Sequence, residues 1–464
     1  AHLIEAFGSE ELKSRYMSKM YEGVWTGTMA LTEPDAGSSL ADVTTRATPF
    51  GDGVYKLKGT KVYISGGDHD VAENIVNLTL ARIDGAPAGT KGISLFVVPR
   101  KRFAEDGSLV DNDLTTSGMF HKLGWRGLPS ISLTYGERDD CHGYLVGEPH
   151  QGLKYMFQMM NEARIGVGVS ATATALVAYY ESLEFAKERL QGRKLGAPSN
   201  SAPVPIIEHA DVRRMLLRQK AISEGALALV LTTAKFQDLA EHGPEDERDN
   251  AHLILDLLTP LAKTFPAEFG FESNTLAVQV LGGSGYVDDY LPEAWLRDQK
   301  LNTIHEGTSG IQAMDLLGRK IMRTGGKSLM ALGALIQTDI QAAIQGSVDT
   351  EFTSALAAAL ATVSGVTTEL GQHALTDPEA MMQNAGDYLE MLSVVVIGWQ
   401  WLVQITAASR GRAIADNDRD RAFYEGKFRA GRYWYSHEIP RVAHLAERIR
   451  NADDVFRTMP LEAF

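Results

Sequence analysis

The chain has 464 residues, too many for one ordinary hydrophobic core, so we expect two to four domains. Its formal net charge of −14 opposes non-specific attachment to nucleic acid, and no basic run offsets that charge. The richest apolar segment, residues 392–402, is too short to span a bilayer, and the single cysteine, Cys141, excludes an intrachain disulfide. We therefore expect a cytoplasmic protein with no membrane span, no nucleic-acid partner and no metal site.

The first part of the chain changes from a helical to a strand pattern. Residues 9–20 predict a helix, because apolar side chains recur at helical spacing and Ser9 can cap the N-terminus. From residue 25 to about residue 145 short strand-like runs alternate with Gly, Asp and Pro. The clearest of these runs are residues 54–57, 61–64, 75–80 and 93–98. We interpret residues 1–24 as the end of a helical domain and residues 25–145 as an antiparallel β-domain.

Helical periodicity takes over after residue 151 and continues to the end of the chain. One long helix, or two end to end, reaches about residue 189 and is followed by helices at 212–241 and 249–280. Residues 243–249 form a charged connection that we expect to be mobile. Further helical segments lie near residues 329–345, 351–370, 378–408 and 421–450. We place a helical bundle at residues 146–325 and a helical extension at residues 326–464.

One carboxylate, Glu306, lies between an apolar run and the turn Gly-Thr-Ser-Gly. Glycine tolerates a sharp backbone bend, and apolar periodicity resumes at Ile311. The pattern predicts a helix that begins near Thr308 or Ser309 with a hydroxyl at its N-cap. By pattern alone, Glu306 is either a solvated glutamate before a capped helix or a carboxylate that faces a cleft.

Five ordered motifs resemble those of the acyl-CoA dehydrogenases. Two are the Gly-Gly-Ser-Gly-Tyr turn at residues 282–286 and the Arg-Asp to Glu-Gly-Thr stretch at residues 297–308. The others are Thr-Glu-Pro-Asp-Ala-Gly-Ser at residues 32–38, Gly-Thr-Lys-Val-Tyr-Ile-Ser at residues 59–65, and the helix exit Glu-Arg-Leu-Gln-Gly at residues 188–192. Four positions in these motifs depart from the family pattern: Tyr63 replaces tryptophan, Ser65 replaces threonine, Gly192 replaces phenylalanine, and His305 replaces tyrosine.

This resemblance implies an α+β fold with a central antiparallel β-domain flanked by helical domains. It also implies that the numbered chain lacks most of the family's N-terminal helical domain. The extension beyond residue 320 looks like the branch that includes 3-methylmercaptopropionyl-CoA dehydrogenase. The resemblance therefore implies the FAD-dependent conversion of an acyl-CoA thioester, of that kind or another short or medium one, to the trans-2-enoyl-CoA.

The resemblance also assigns roles to individual residues. Glu306 is the base that removes the α-proton while a β-hydride passes to FAD. The implied cofactor contacts are Leu31, Thr32, Tyr63, Ser65, Arg189, Gln279, Gly283 and Thr308. The implied substrate contacts are Ser38, Arg164 and Gly307. The implied partners are acyl-CoA, electron-transfer flavoprotein and further copies of the chain, in a dimer or a dimer of dimers.

Several alternatives stay open on the sequence. A DNA-associated alkylation-response flavoprotein of the same superfamily would need a basic patch in residues 425–450, and an acyl-CoA oxidase would need oxygen access to the flavin. Thr32 with Asp35 could be an ordinary capping box, and Arg164 could form a salt bridge with Glu162 or another neighbour. The methionines at positions 156, 159 and 160 predict core packing rather than a cofactor contact.

Overall fold

The computed structural model describes residues 1–51 and 53–464, and short helices come first in the chain. The Ser9 side chain accepts a hydrogen bond from the Leu12 amide, which confirms the predicted N-cap. The predicted helix after Ser9 is a run of helical segments that extends to Tyr21 through one π-helical stretch. These elements are α1 His2–Phe7, α2 Glu10–Leu12, the π-helix Lys13–Met17 and α3 Ser18–Tyr21.

Ten strands follow in the described residues and form the expected β-domain. They are β1 Trp25–Ala30, β2 Arg46–Gly51, β3 Val54–Ser65, β4 Asn74–Ile83, β5 Ile93–Pro99, β6 Lys101–Phe103, β7 Leu109–Asp111, β8 Leu114–Met119, β9 Ser130–Tyr135 and β10 His142–Leu145. The prediction of separate strands at 54–57 and 61–64 is wrong, because β3 runs through both. Gly59 does not form a turn. It allows Thr45 to pack directly against the β3 backbone, since a Cβ at Gly59 would lie 2.5 Å from the Thr45 hydroxyl oxygen.

The main sheet has the strand order β1-β4-β5-β10-β3-β9-β8, with β2 beside β3 and β4. It is mainly antiparallel, as expected, and the structure adds parallel pairings of β1 with β4 and of β2 with β4. Strands β4 and β5 are buried along almost their whole length, as is typical of strands covered on both faces. Strands β6 and β7 form a separate two-stranded hairpin.

A β-bulge interrupts β3 next to the second strand motif. The register of β3 against β9 shifts between Lys61 and Ile64, and Tyr63 has φ +60°. An extra residue at a bulge redirects a side chain, and the Tyr63 side chain is 64% exposed while Lys61 and Ile64 are buried. The aromatic residue of this motif is therefore presented to solvent rather than packed in the core.

The chain forms two compact units, Ala1–Ala163 and Arg164–Phe464, and the second is helical. The helix α4 is continuous, which settles the choice between one helix and two. The helices are α4 Gly152–Glu188, α5 Ala210–His242, α6 Glu245–Leu281, α7 Pro292–Leu301, α8 Ser309–Met314, α9 Lys327–Gln345, α10 Thr350–His373, α11 Pro378–Met382, α12 Ala385–Ile414, α13 Asp418–Tyr433, α14 Arg441–Asn451 and α15 Val455–Thr458. A π-helix, Asp315–Met322, follows α8, and another, Trp434–Glu438, follows α13.

Three helical predictions are corrected. The expected mobile connection at 243–249 shrinks to Gly243 and Pro244, because α6 already begins at Glu245 with an acidic first turn. Residues 378–408 divide into α11 and α12, with Asn384 at the α12 N-cap. Residues 421–450 divide at Pro440, whose missing amide hydrogen suits the start of α14.

One hydrophobic core runs through the helical unit. It includes Leu261 and Leu317 from the predicted bundle and Leu392 and Trp401 from the predicted extension. The boundary placed at residue 325 stays a prediction. Helix Ala385–Ile414 is long and apolar enough to cross a membrane. However, 78% of its most apolar stretch is buried inside the protein, as in a core helix.

Close packing between α4 and α6 depends on Gly168. A Cβ at this position would lie 2.1 Å from the carbonyl oxygen of Ala262, and a backbone atom in a buried helix cannot move aside as a flexible side chain can. A Cβ at Gly166, in the same helix, would meet nothing within 4 Å.

We expect Gly168→Ala to lower the free energy of unfolding by about 1–3 kcal/mol, because overpacking pushes the two helices apart. Gly166→Ala is the matched control and should be neutral or stabilising, since alanine is the better helix former. Thermal unfolding followed by circular dichroism tests both. Equal midpoints for the two variants would contradict the role assigned to the contact.

Candidate active site

Glu306 lies in the turn between α7 and α8, in an uncommon backbone conformation. Its φ is +54° and that of Gly307 is +87°, so the glutamate as well as the glycine adopts the left-handed region. A non-glycine residue there is strained and persists only when its surroundings hold it. The buried Gln312 side chain provides that support, because its Nε2 donates to the Glu306 carbonyl oxygen at 2.9 Å.

The residues after Glu306 are fixed by the start of α8. The Thr308 hydroxyl accepts from the Ile311 amide at 3.3 Å, which confirms the predicted N-cap. A hydroxyl that accepts one hydrogen bond can still donate another, so Thr308 remains able to contact a ligand. A side chain at Gly307 is disfavoured by its φ of +87°, and its Cβ would lie 2.7 Å from Gln312 Nε2 and push away the amide that holds Glu306.

Burial and positive charge act in opposite directions on the Glu306 carboxyl. Burial raises its pKa, and the charges of Arg164 and Lys263 lower it, with burial the stronger effect. Arg164 Nη1 forms a buried salt bridge with Asp315 Oδ2 at 3.1 Å, so its partner is Asp315 rather than the Glu162 considered from sequence. Burial, together with the charge of Lys263, lowers the pKa of His305 to about 4, which keeps this imidazole neutral at neutral pH.

In the N-terminal unit, the structure brings four predicted residues together around the β3 bulge. The Val62 amide donates to the Thr32 carbonyl oxygen at 2.9 Å, and Lys61 Nζ donates to the Leu31 carbonyl oxygen at 2.9 Å. The Leu31-Thr32 segment therefore lies beside β3 next to Tyr63. Ser65 joins this group through its carbonyl oxygen, which accepts from the Thr28 hydroxyl at 2.8 Å.

The remaining predicted residues occupy exposed positions at element ends. Ser38 is exposed in the turn after Thr32, and Arg189 follows α4 with its guanidinium 4.8 Å over the Phe185 ring. Gln279 and Gly283 are exposed at the end of α6, and a Cβ at Gly283 would meet nothing within 4 Å. Phe185 also contacts Tyr290, so the exit of α4 lies near the loop that follows these glycines.

Comparison with known proteins identifies the family. Residues 28–136 match the acyl-CoA dehydrogenase middle domain, residues 150–321 its C-terminal domain, and residues 333–460 a domain described as acetyl-CoA dehydrogenase C-terminal like. The chain is 41% identical to a 3-methylmercaptopropionyl-CoA dehydrogenase of Ruegeria pomeroyi, over 86% of this chain and 68% of that protein. It is 36% identical to a butyryl-CoA dehydrogenase of Syntrophomonas wolfei, over 100% of this chain and 77% of that protein.

The chain belongs to the acyl-CoA dehydrogenase family. It is an FAD-dependent oxidoreductase, as the resemblance implied. The fold agrees, since an acyl-CoA dehydrogenase of Bacillus anthracis solved with FAD superposes with a TM-score of 0.76 at 21% identity, over 98% of this chain and 75% of that one.

The residues of this acyl-CoA dehydrogenase fit an FAD cofactor chemically. The segment around the β3 bulge carries an exposed aromatic ring, Tyr63, and two residues with hydroxyl groups, Thr32 and Ser65, a combination suited to a flat heterocycle with polar edges. The guanidinium of Arg189 makes no hydrogen bond to any described residue, so its planar fork is open to a phosphate. The open position at Gly283 leaves room for a ligand to approach the backbone.

Sequence reasoning missed a buried salt bridge beneath these residues. Glu33 is 4% exposed, and its carboxylate accepts hydrogen bonds from Lys61 at 2.8 Å and from the hydroxyls and amides of Thr44 and Thr45. Burial raises the pKa of Glu33, but Lys61 and the two threonines outweigh it and lower the pKa to about 2. The signal was present in the sequence, because Glu33 and Lys61 each lie inside a recognised motif beside a predicted FAD contact.

A surface cavity of about 770 Å³ lies in the N-terminal unit beside the end of β3. Its lining includes Asp68, Glu73, Arg100 and Lys101, and it contains none of the predicted site residues. Its size therefore does not identify the flavin or substrate site in this acyl-CoA dehydrogenase.

We expect Lys61→Met to destabilise the N-terminal unit by about 3–5 kcal/mol, because the Glu33 carboxylate would stay buried without its cation. Lys58→Met is the control on the same strand, since Lys58 pairs with Asp139 at the surface and exposed pairs contribute little. The measurement is the thermal unfolding midpoint of each variant. If Lys61→Met unfolds no earlier than Lys58→Met, the salt bridge does not support the Leu31-Thr32 segment.

Proposed function

We propose that this enzyme oxidises a short- or medium-chain acyl-CoA thioester, such as 3-methylmercaptopropionyl-CoA, to its trans-2-enoyl-CoA with Glu306 as the base. The observation that carries the proposal is the half-buried carboxylate of Glu306, whose backbone is fixed by neighbouring residues. Its backbone is strained, supported by Gln312 and followed by a capped helix. Strain held in place at a carboxylate of raised pKa is typical of a functional residue.

Removal of the thioester α-proton requires a positioned base of raised pKa. The α-proton of a thioester is weakly acidic, so a base must be positioned next to it and must have a pKa near the working pH. Burial raises the pKa of Glu306 in that direction, while Arg164 and Lys263 limit the effect. Bound FAD supplies the acceptor for the β-hydride. The neutral imidazole of His305 adds no charge beside the carboxylate.

Each remaining residue receives a role in this proposal. Arg164 provides charge near Glu306, Gly307 allows the substrate to approach the backbone, and Ser38 offers an exposed hydroxyl to the thioester arm. The flavin contacts are Leu31, Thr32, Tyr63, Ser65, Arg189, Gln279, Gly283 and Thr308. The hydroxyls, the open arginine fork and the glycine match what a flavin dinucleotide requires.

The names of similar proteins support a short acyl chain. One relative is a 3-methylmercaptopropionyl-CoA dehydrogenase and another is a butyryl-CoA dehydrogenase. A panel of acyl-CoA thioesters of increasing length, assayed with an artificial electron acceptor on the FAD-loaded protein, tests this assignment. We expect 3-methylmercaptopropionyl-CoA and butyryl-CoA to give the highest kcat/KM. A preference for long chains would contradict it.

We further propose electron-transfer flavoprotein as the electron acceptor and a cytoplasmic homo-oligomer, a dimer or a dimer of dimers, as the assembled form. The loop after Gly285 supports an oligomer, because Tyr286 and Leu291 expose large apolar side chains there. The mass of the protein in solution by light scattering checks the assembly, and a monomer with full activity would contradict it.

The alternative of a DNA-associated flavoprotein is disfavoured by the charge pairing of the C-terminal helices. Its basic patch would consist of Lys427, Arg429, Arg432, Arg441, Arg448 and Arg450. Five of these six side chains pair with carboxylates of the protein: Lys427 with Glu224, Arg429 with Glu425, Arg441 with Glu390 and Glu438, Arg448 with Asp387, and Arg450 with Glu369. Guanidinium groups neutralised within the protein release few counterions from DNA.

We expect Glu306→Gln to retain FAD and to reduce the rate of flavin reduction by acyl-CoA roughly 10²–10⁴-fold, because the amide keeps the shape and removes the base. Glu293→Gln is the control, since Glu293 pairs with Arg297 on α7 and has no proposed part in the reaction. Anaerobic stopped-flow bleaching of the flavin measures both. Reduction of Glu306→Gln at the wild-type rate would place the base elsewhere in the chain.

A further inference from the structure

Lys263 is a lysine on α6 with 0% of its side chain exposed. Its ammonium nitrogen has no hydrogen-bond partner among the described residues. Burial of an ammonium group without a partner is costly, and burial accordingly lowers the pKa of Lys263 to about 8. At neutral pH the side chain is still mainly charged. An apolar residue would pack at this position without that cost, so packing alone does not account for the lysine.

Contacts from α4, α7 and α8 fix the position of this part of α6. Gly168 allows α4 to approach the Ala262 carbonyl, one residue before Lys263. Gln299 of α7 donates to the Pro266 carbonyl oxygen at 2.9 Å. The Ser309 hydroxyl, at the start of α8, donates to Glu268. The helices before and after Glu306 are therefore both tied to the helix that carries Lys263.

The charged groups around Glu306 differ in whether they have an oppositely charged partner. On α4, Arg164 lowers the pKa of Glu306 more than Lys263 does, but it is paired with Asp315. On α6, Glu268 is exposed to solvent and its charge raises the pKa of Lys263. His305 is neutral at neutral pH, as described above. Lys263 is thus the buried cation whose charge reaches Glu306 without a carboxylate partner of its own in the described chain.

We propose that Lys263 is a positioning residue that keeps the Glu306 carboxyl ionised in the resting enzyme, before the substrate arrives. This role rests on the proposed function of Glu306 as the base. Burial by itself favours the neutral acid, which cannot accept a proton. A fixed positive charge nearby opposes this effect of burial and favours the carboxylate, without forming a hydrogen bond that would compete for the incoming proton.

The test compares five variants by infrared difference spectroscopy during a pH titration of the FAD-loaded protein without substrate. The carbonyl band of the protonated Glu306 carboxyl is assigned by its loss in Glu306→Gln. We expect Lys263→Met and Lys263→Gln to raise the pH at which half of this band has been lost by about one unit. That shift, the change in the titration midpoint, is a tenfold gain in the proton affinity of Glu306. Lys263→Arg keeps the charge and should keep the midpoint. Lys320→Met should also leave the midpoint unchanged, because Lys320 pairs with Asp256, a residue of α6 that has no proposed contact with Glu306.

The rate of flavin reduction provides the second measurement. Loss of the Lys263 charge should move the acid limb of the pH profile upward by the same amount and retain the rate at high pH, where Glu306 is ionised in any case. Merely structural damage would lower the rate at every pH. An unchanged infrared midpoint in folded Lys263→Met or Lys263→Gln overturns the proposal.

The two proposals fail in distinguishable ways. An unmoved midpoint together with an inactive Glu306→Gln variant removes only the role of Lys263. Reduction of Glu306→Gln at the wild-type rate removes the proposed function, and with it the role of Lys263, even if the midpoint moves.

Discussion

Each unit buries ionised side chains next to its candidate site residues, and the cost of taking charge out of water constrains the surrounding structure. In the N-terminal unit, Glu33 and Lys61 compensate each other, and Lys61 at the same time holds the Leu31 carbonyl. In the helical unit, Arg164 and Asp315 form the corresponding buried pair. These pairs contribute to the arrangement of the site because neither charge can move without exposing the other as an uncompensated buried ion.

Packing in the helical unit also supports the strained turn at Glu306. Gln299 lies at the centre, because its Nε2 donates both to the Ala171 carbonyl of α4 and to the Pro266 carbonyl of α6. Gly270 makes room for it, since a Cβ there would lie 2.3 Å from that nitrogen. The end of α7 is thereby fixed, and Gln312 holds the Glu306 carbonyl from the other side. Helix packing thus supports a backbone conformation that glutamate would not adopt by itself.

The C-terminal extension is joined to the rest of the helical unit by charge as well as by apolar packing. Arg218 of α5 forms salt bridges with Glu272 of α6 and with the buried Glu438 of the π-helix Trp434–Glu438. Arg441 pairs with Glu438 as well. Removal of Arg218 would take the cation from Glu272 and leave the buried Glu438 with Arg441 alone. The extension therefore belongs to the same cooperative structure that positions α6 and the residues on it.

The sequence by itself determined the element types, the family and a hydroxyl cap at Thr308 or Ser309, because helical periodicity, strand-like runs and a hydroxyl before an apolar run are local patterns. It also singled out Glu306, through the residues on either side of it. Only the tertiary structure decided that Gly59 continues a strand, that Arg164 pairs with Asp315, and that Lys263 lies buried near Glu306. These facts depend on residues that are far apart in the chain, and burial and electrostatic environment follow from which helices meet rather than from any short stretch of sequence.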